Sequence, residues 1–222
     1  KTPFHPYWLL FNKTKKSFFD IIEQFNGKVL ETGAGECITK TRVLNHSTKV
    51  TEYIATDVAA IPYEVALSAD SSPISLHNKA FLGTPESKYE LDSICDAMKI
   101  PFGDEEFDTY CSFEVLEHIS NPTMFMKEAH RVLKPGGKCI ISMPYLFRIH
   151  NEGMSDYQRY TPDGFEQLAK ISGFKVKSIT TRCHFGATFT TLVNQFVICT
   201  ISKNTLVKFI MMPFAALIFF IN

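Results

Sequence analysis

The stretch Lys28–Cys37, which reads KVLETGAGEC, decides the fold that we expect for this chain. Its apolar start predicts a buried β-strand over Lys28–Thr32. Gly33 and Gly35 follow, and glycines permit a tight turn that side chains would block. A strand, a glycine turn and a helix start bring backbone N–H groups close to a bound cofactor. The stretch is a weak signal alone, because a glycine turn follows many buried strands.

Strands and helices alternate along the rest of the chain, with a loop-rich crossover over residues 58–88. The further predicted strands are Val50–Thr56, Tyr89–Cys95, Phe107–Phe113, Lys138–Pro144 and Phe174–Thr181. The predicted helices run over Ser17–Phe25, from the glycine turn to about Leu44, from Pro122 to the KPGG turn at 134–137, and from Thr161 to about Ile171. This alternation predicts an α/β fold with a doubly wound, mostly parallel sheet.

Charge and cysteine usage narrow the class of protein. The chain has 23 basic and 23 acidic residues and a formal net charge of zero, so we expect no nucleic-acid partner. Its six cysteines include no C-x-x-C pair, so we expect no zinc or other metal site. Scattered cysteines and no visible signal peptide favour a reducing, cytoplasmic setting.

An acidic residue ends the second predicted strand. Asp57 lies about 20 residues after the glycines, where dinucleotide- and nucleoside-binding folds hold ribose hydroxyls. One carboxylate can accept hydrogen bonds from both hydroxyls. The alternative is a surface aspartate that caps the next turn.

The motifs that follow occur in an order typical of one family. They are ETGAGEC, Asp57, Asp96-Ala97, PFGDEEFD, FEVLEHISNP and RVLKPGG. Over about Val29–Phe174 the chain resembles the class I S-adenosylmethionine-dependent methyltransferases, specifically the type 11 small-molecule group. The resemblance implies a Rossmann-like domain of the seven-stranded type. It also implies a methyltransferase enzyme with S-adenosylmethionine as cofactor and S-adenosylhomocysteine as product.

The resemblance also assigns cofactor-binding positions. These positions are Glu31, Gly33, Gly35, Asp57, Asp96, Ala97, Met98, Phe113, Glu114 and His118. The glycine motif would cradle the methionine part, Asp57 the ribose and Asp96 the adenine amino group, while Glu114 would lie near the sulfonium. Cys37 departs from the pattern, because the family often has a third glycine there.

The segment after the fifth predicted strand carries the candidate catalytic residues. His150 is a candidate general base for a hydroxyl acceptor, and Asp156 is placed to orient it. Tyr157, Arg159 and Tyr160 are candidates for holding a polar acceptor. Two alternatives stay open: the segment only closes the domain, and Arg159 pairs structurally with Asp156.

Two further segments flank the predicted methyltransferase domain, which covers residues 27–183. Residues 1–26 form an N-terminal segment that is a packed tail or a lid. Residues 184–222 form an apolar extension, in which Thr205–Ile221 has Lys208 as its one charge. Membrane-surface attachment on the cytoplasmic face, packing against the domain or a second copy, and a truncated transmembrane helix are the alternatives for it.

These observations predict methyl transfer to a small-molecule or lipid-linked acceptor, with O-methylation of a sugar or glycan first. Membrane contact would favour a lipid-linked glycan or an isoprenoid quinone. The alternative is a cofactor-binding but catalytically weak, membrane-associated partner subunit. A nicotinamide oxidoreductase is disfavoured, because Thr39-Lys40-Thr41 follows the turn where G-x-G-x-x-G needs its last glycine. The oligomeric state is left open.

Overall fold

The structure is a computed structural model that describes residues 19–58, 89–146 and 155–181, together with Thr188, Phe189 and Leu192. Residues 1–18 of the predicted N-terminal segment, most of the 58–88 crossover, His150 and the apolar stretch 205–221 lie outside these residues. The chain divides into two compact units, residues 21–179 and residues 1–20 with 180–222. All labelled elements below belong to the first unit.

Within the described ranges, five parallel strands form one sheet. They are β1 (Gly27–Thr32), β2 (Val50–Asp57), β3 (Ser93–Ile94), β4 (Phe107–Phe113) and β5 (Leu133–Ser142). Their order is β3-β2-β1-β4-β5, so the strand before the glycine turn lies in the middle of the sheet. The carboxyl ends of β1, β2 and β4 therefore meet at one edge.

The helices connect these strands. They are α1 (Ile38–His46), a short 3₁₀ helix (Leu116–His118), α2 (Pro122–Val132) and α3 (Pro162–Ile171). Residues 19–22 are also helical, within the predicted Ser17–Phe25. From the middle of the sheet, α1 leads outward to β2, and α2 leads outward in the other direction to β5. Because crossovers between parallel strands are almost always right-handed, these opposite directions indicate that the two helices lie on opposite faces, as in a doubly wound fold.

Two helix starts have the capping residues that the sequence suggests. The Asn121 side chain accepts a hydrogen bond from the Met124 amide (3.1 Å) at the start of α2. The Thr161 hydroxyl accepts from the Gly164 amide (3.2 Å) at the start of α3. Each cap precedes a proline, whose missing N–H is harmless in the first helical turn. The predicted starts of both helices are thus confirmed.

The core is the apolar face of α2 packed with the central strands. Phe125, Met126, Ala129 and Val132 recur at helical spacing and are all buried. Tyr110 of β4 is also fully buried, and its hydroxyl lies 2.6 Å from the Thr32 hydroxyl. This bond satisfies two polar groups that would otherwise be costly to bury.

Arg131 of α2 holds the loop that precedes β4. Its guanidinium donates to the carbonyls of Ile100 and Phe102 (both 2.9 Å) and to the carboxylate of Asp104 (2.7 Å). Glu128 accepts two further bonds from it, each 2.8 Å. The motifs PFGDEEFD and RVLKPGG, which are distant in sequence, are therefore joined by one side chain.

The third strand is shorter than predicted. It covers Ser93–Ile94 and not Tyr89–Cys95. The carboxylate of Asp92 accepts the Ala55 amide of β2 (2.7 Å) and the Lys40 ammonium (2.6 Å). A side chain thus replaces the backbone partner that an earlier start of the strand would supply.

The predicted sixth strand, Phe174–Thr181, is wrong: these residues form no strand. The Phe174 amide donates to the Ala169 carbonyl (2.9 Å) and so closes the end of α3. None of the residues that the structure describes pairs with 175–181, and a strand needs such a partner.

The fifth strand begins earlier than predicted, at Leu133. Leu133 pairs with Phe107 and Lys138 with Thr109, so residues 134–137 bulge between two paired positions. Gly136 has a φ of 79° in this bulge. The KPGG sequence is therefore the predicted turn, with ladder pairing on both sides.

Over the described parts of the chain, no helix combines the length and apolar character needed to cross a bilayer.

Candidate functional site

The predicted cofactor residues gather at the carboxyl edge of the sheet. β1, β2 and β4 end there at Thr32, Asp57 and Phe113, and these strands are neighbours. The Ala34 amide of the glycine turn donates to the Thr56 carbonyl (3.0 Å). Ligands of open α/β sheets bind at this edge, next to the strand where the order reverses.

Asp57 is bonded directly to the glycine turn. Its Oδ2 accepts the Gly35 amide (2.8 Å) and its Oδ1 accepts the Val58 amide (2.7 Å). A carboxylate has about four acceptor positions, so about two remain after these bonds. The residue that the sequence assigns to a ribose is thus held in place with acceptor capacity to spare.

The two glycines of the turn have different surroundings. Both have positive φ, 73° at Gly33 and 50° at Gly35. A Cβ on Gly33 would lie 2.2 Å from Cγ2 of Val115, whereas a Cβ on Gly35 would meet no atom of the described residues within 4 Å. Gly33 is therefore required by packing inside the protein, and Gly35 presents an open face that a ligand can approach.

Cys37 adopts the left-handed conformation that a glycine favours. Its φ is 53° and its ψ is 29°, just before α1. A non-glycine residue pays roughly 1–2 kcal/mol there, so the departure from the family pattern leaves the turn formed but strained. Burial raises the pKa of the thiol to about 11, which keeps it protonated and unreactive at neutral pH.

Glu31 lies beneath the turn rather than on the exposed edge. Its side chain is 1 % exposed and accepts a hydrogen bond from the Tyr53 hydroxyl (2.8 Å). Burial raises the pKa of this carboxyl to about 7. The predicted contact with the methionine part of a cofactor stays a prediction, and the contacts described support the turn from below.

The raised pKa of Glu31 makes stability depend on pH. Between its ordinary pKa of 4.5 and about 7, the folded chain keeps a proton that the unfolded chain has lost. Folding stability therefore falls as pH rises through this interval, by about 3 kcal/mol from this group. In Glu31→Gln, which can still accept from Tyr53, we expect the fall to be smaller by about this amount. The carboxyl of Glu117, whose pKa burial also raises to about 7, still contributes its own part. Urea unfolding at pH 5 and pH 8 measures it.

Glu106 provides the control for that prediction, because its pKa shifts the other way. A hydrogen bond from Lys28 (2.7 Å) holds the pKa of Glu106 below its ordinary value. Its contribution is complete above about pH 4.5 and is lost only at lower pH. Glu106→Gln should therefore keep the wild-type fall between pH 5 and 8. An unchanged fall in Glu31→Gln would show that Glu31 does not cause it.

The predicted adenine-binding residues follow β3. Asp96 is exposed, and its carboxylate accepts the Met98 amide (2.8 Å). The preceding Cys95 amide donates to the Asp57 carbonyl (2.8 Å), so this turn lies next to the end of β2. Ala97 is buried, and Met98 is partly exposed. Asp57 and Asp96, which the sequence predicts to bind one nucleoside, therefore lie at the ends of two neighbouring strands, β2 and β3.

Glu114 follows β4 in a strained conformation. Its φ is 56°, an uncommon value for a non-glycine residue, and it comes directly after Phe113. Its amide donates to the Ser142 carbonyl (3.0 Å), and its carboxylate accepts from the Ser142 hydroxyl (2.7 Å). The exposed carboxylate is thus fixed at the ends of β4 and β5, where it would attract a positively charged ligand.

His118 contacts the segment that follows the fifth strand. Its Nδ1 lies 2.7 Å from the Ser155 carbonyl, and a carbonyl only accepts, so Nδ1 carries the proton. The side chain is 11 % exposed. This contact joins the predicted cofactor side of the site to the predicted acceptor side.

Glu117 is a buried acid that the sequence analysis missed. Its side chain is 1 % exposed in the 3₁₀ helix, and burial raises the pKa of its carboxyl to about 7. His118 Nε2 lies 3.8 Å from its Oε1. The available signal was its position in VLEHI, where an acid stands among apolar residues.

Asp156 and Arg159 form a pair. The Nη1 and Nη2 atoms of Arg159 both donate to the Asp156 carboxylate, and the Nη2 bond to Oδ2 is 2.8 Å long. The Asp156 side chain is 2 % exposed. The pair that the sequence analysis gave as an alternative for Arg159 is thus present. The roles of Asp156 in orienting His150 and of Arg159 in holding an acceptor stay predictions. The ring of Tyr160 packs edge-on against Phe165, with 6.5 Å between centroids, whereas Tyr157 is exposed. His150, the predicted base, lies outside the described residues.

A groove of about 450 Å³ lies at the opposite edge of the sheet. Its lining includes Asn26, Lys49 and Asp108, which lie at or near the amino ends of β1, β2 and β4. None of the predicted site residues that the structure describes lines this groove. Among the residues described, no group of three or more His, Cys, Asp or Glu side chains is arranged to hold a metal ion.

A parallel sheet whose central strand enters a glycine turn, held by an acid at the end of the next strand, defines a Rossmann-like cofactor-binding domain. The chain belongs to the family described as "Methyltransferase domain", whose pattern matches residues 30–141, half of its 222 residues. S-adenosylmethionine is the cofactor that this family implies.

Two curated relatives illustrate the range of similarity. An uncharacterised protein of Methanocaldococcus jannaschii is 34 % identical over 132 residues, which are 55 % of this chain and 62 % of that protein. A ubiquinone biosynthesis O-methyltransferase of Pseudomonas entomophila is 23 % identical over 185 residues, 76 % of this chain and 71 % of that enzyme. Other matches cover as little as 12 % and 19 % of the relatives' own lengths.

A solved structure supports the fold. An S-adenosylmethionine-dependent methyltransferase from Mesorhizobium loti matches with a TM-score of 0.53 over 85 % of this chain and 92 % of that chain. The sequence identity is 12 %, so the similarity concerns the fold alone.

The residues at the carboxyl edge fit S-adenosylmethionine. The described residues leave room for close approach to Gly35, and Asp57 has unused acceptor positions for hydroxyls. Asp96 exposes a carboxylate for an amino group, and Glu114 exposes one for a positive charge. When bound, this cofactor supplies an electrophilic methyl group on a positively charged sulfur.

Proposed function

We propose that this chain is an S-adenosylmethionine-dependent methyltransferase that methylates an oxygen atom of a small-molecule acceptor. The observation that carries the proposal is the Asp57 carboxylate, fixed 2.8 Å from the Gly35 amide at the switch point of the sheet. Family membership supports methyl transfer as the reaction.

In this proposal the cofactor residues bind and orient, and they carry out no covalent chemistry. Asp57 holds hydroxyls and Asp96 an amino group, while Glu114 provides negative charge on the side of the sulfur. Displacement at a methyl group needs an aligned acceptor and little water. These residues would therefore act mainly by fixing the direction from which the acceptor approaches.

The acceptor is proposed to be a hydroxyl compound. The Pseudomonas entomophila relative bears the name of an O-methyltransferase of ubiquinone biosynthesis, which favours a quinol hydroxyl. A sugar or glycan hydroxyl, free or lipid-linked, is the class that the polar segment around Tyr157 suggests. A hydroxyl acceptor needs a base, and His150 is the residue that we propose for it. Membrane attachment through the apolar C-terminal stretch remains part of the proposal for a lipid-linked acceptor.

Calorimetric titration and a transfer assay test the proposal. We expect saturable binding of S-adenosylmethionine and S-adenosylhomocysteine by the purified chain, and no binding of NADH. Labelled methyl transfer is then measured to quinols and to free and lipid-linked glycans, with and without vesicles. Binding without transfer to any acceptor would favour the alternative of a catalytically weak partner subunit. Binding of NADH alone would overturn the proposed cofactor.

A further inference from the structure

One glutamine side chain bridges both ends of the 3₁₀ helix after β4. The Nε2 of Gln158 donates to the Leu116 carbonyl (2.7 Å) and to the Ile119 carbonyl (2.8 Å). Both partners only accept, so an amide nitrogen is the group that the position requires. Glutamate would place an acceptor there, and methionine of similar length would place no donor.

The residues next to Gln158 bind the same 3₁₀ helix. The Tyr157 amide donates to the Glu117 carbonyl (2.8 Å), and His118 Nδ1 donates to the Ser155 carbonyl (2.7 Å). Four hydrogen bonds thus tie residues 155–158 to residues 116–119. Residues 155–158 belong to the predicted acceptor side of the site, since they come just after the segment with His150. These hydrogen bonds therefore join the acceptor side to the loop that follows β4.

The 3₁₀ helix is in turn packed against the glycine turn. Val115, the residue directly before it, places its Cγ2 where a Cβ on Gly33 would lie 2.2 Å away. Glu114, one residue before Val115, is hydrogen-bonded to Ser142 at the end of β5. A shift of the 3₁₀ helix would therefore move both the support of the glycine turn and the carboxylate of Glu114.

We propose that Gln158 is a positioning residue for the cofactor site, which fixes the 3₁₀ helix and thereby the places of Val115 and Glu114. Both hydrogens of its amide nitrogen are used by the Leu116 and Ile119 carbonyls, so its proposed effect on the cofactor passes through the 3₁₀ helix. The inference rests on the proposed function, because the site that it positions is the S-adenosylmethionine site. It implies that a residue on the acceptor side sets cofactor affinity.

Three variants of the full chain test this inference. Gln158→Met keeps the length and removes both donors, Gln158→Glu replaces the amide by a carboxyl, and Gln167→Met is a control at an exposed glutamine of α3. Hydrogen exchange of the 116–119 amides is measured without cofactor. We expect exchange about tenfold faster in Gln158→Met and unchanged exchange in Gln167→Met.

Cofactor binding provides the second measurement. Titration should show a Kd for S-adenosylmethionine about tenfold higher in Gln158→Met than in wild type. Gln158→Glu should bind weakly at pH 8, where its carboxylate faces two carbonyls. Relative to wild type, it should recover towards pH 6, where a protonated carboxyl can donate one bond. A merely structural role would lower the melting temperature without this recovery.

The outcomes separate this inference from the proposed function. If wild type does not bind S-adenosylmethionine, the proposed function fails, and the exchange experiment still decides whether Gln158 holds the 3₁₀ helix. If wild type binds and Gln158→Met shows wild-type exchange and affinity, the inference is overturned. Faster exchange with unchanged affinity also overturns it, because the 3₁₀ helix would then not set the site.

Discussion

Gly33→Ala is expected to destabilise the protein by about 4 kcal/mol, the largest loss among the substitutions considered. The backbone at Gly33 has a φ of 73°, which costs an L-residue about 1–2 kcal/mol. The new Cβ would also lie 2.2 Å from Cγ2 of Val115, too close for any real contact. Relieving that overlap costs typically 1–3 kcal/mol more. Equilibrium unfolding in urea measures the sum.

Two variants separate the terms of that loss. The new Cβ of Gly35→Ala meets no atom within 4 Å in the described part of the chain, and the φ of Gly35 is 50°, so this variant should show the backbone cost alone. Gly33→Ala combined with Val115→Ala removes the overlapping atom and should recover the packing part, judged against Val115→Ala alone. Equal losses for Gly33→Ala and Gly35→Ala would contradict the packing of Val115 against the turn.

The contrast between these glycines shows what the sequence can and cannot predict. A buried strand followed by G-x-G predicts the turn, because glycine frequency and strand pattern are local signals. The different roles of Gly33 and Gly35 depend on Val115, which is brought there by the pairing of β4 with β1. No local pattern contains that contact.

The same distinction explains the differences in the strands. Apolar runs predict the bounds of β1, β2 and β4 to within about one residue, because buried strands are rich in apolar residues. The early residues of the third predicted strand are displaced by the Asp92 side chain, which bonds β2 and Lys40. The sixth predicted strand has suitable residues but no partner among those described, and partner choice is a property of the whole fold.

Site residues follow the same rule. The position of Asp57 at the end of β2 could be predicted, and an acid there is a positional signal for ribose binding in this fold, which stays a prediction. The pairing of Asp156 with Arg159 was one of two alternatives that the spacing allowed. The contacts of Gln158 could not be predicted from the sequence. Its partners are backbone carbonyls of a distant segment, and every residue has such a carbonyl.

Asp57→Ala tests the proposed site most directly, and we expect it to raise the Kd for S-adenosylmethionine about 100-fold. Each hydrogen bond to a charged group contributes about 1.5–3 kcal/mol, and two lost ribose contacts therefore amount to about 3 kcal/mol or more. The substitution also releases the Gly35 amide, which would loosen the turn. Calorimetric titration of both proteins under one condition measures the change.

Asp57→Asn refines the test, because it retains one acceptor oxygen and adds a donor. The remaining oxygen can accept either from Gly35 or from Val58, while the new NH₂ group faces an amide that also donates. Binding between that of wild type and Asp57→Ala would indicate that acceptor count sets affinity. Binding as weak as in Asp57→Ala would indicate that the negative charge and the shape of the turn matter more.

A matched control distinguishes lost contacts from a damaged sheet. Asp92, like Asp57, has a carboxylate that accepts a backbone amide: its Oδ2 lies 2.7 Å from the Ala55 nitrogen of β2. Asp92 has no role in the proposed site. Asp92→Asn should lower the melting temperature, because it weakens the bond to the buried Lys40, yet leave the Kd near that of wild type. Wild-type affinity in Asp57→Ala would show that neither the ribose nor the glycine turn depends on this carboxylate, and would place the ribose elsewhere.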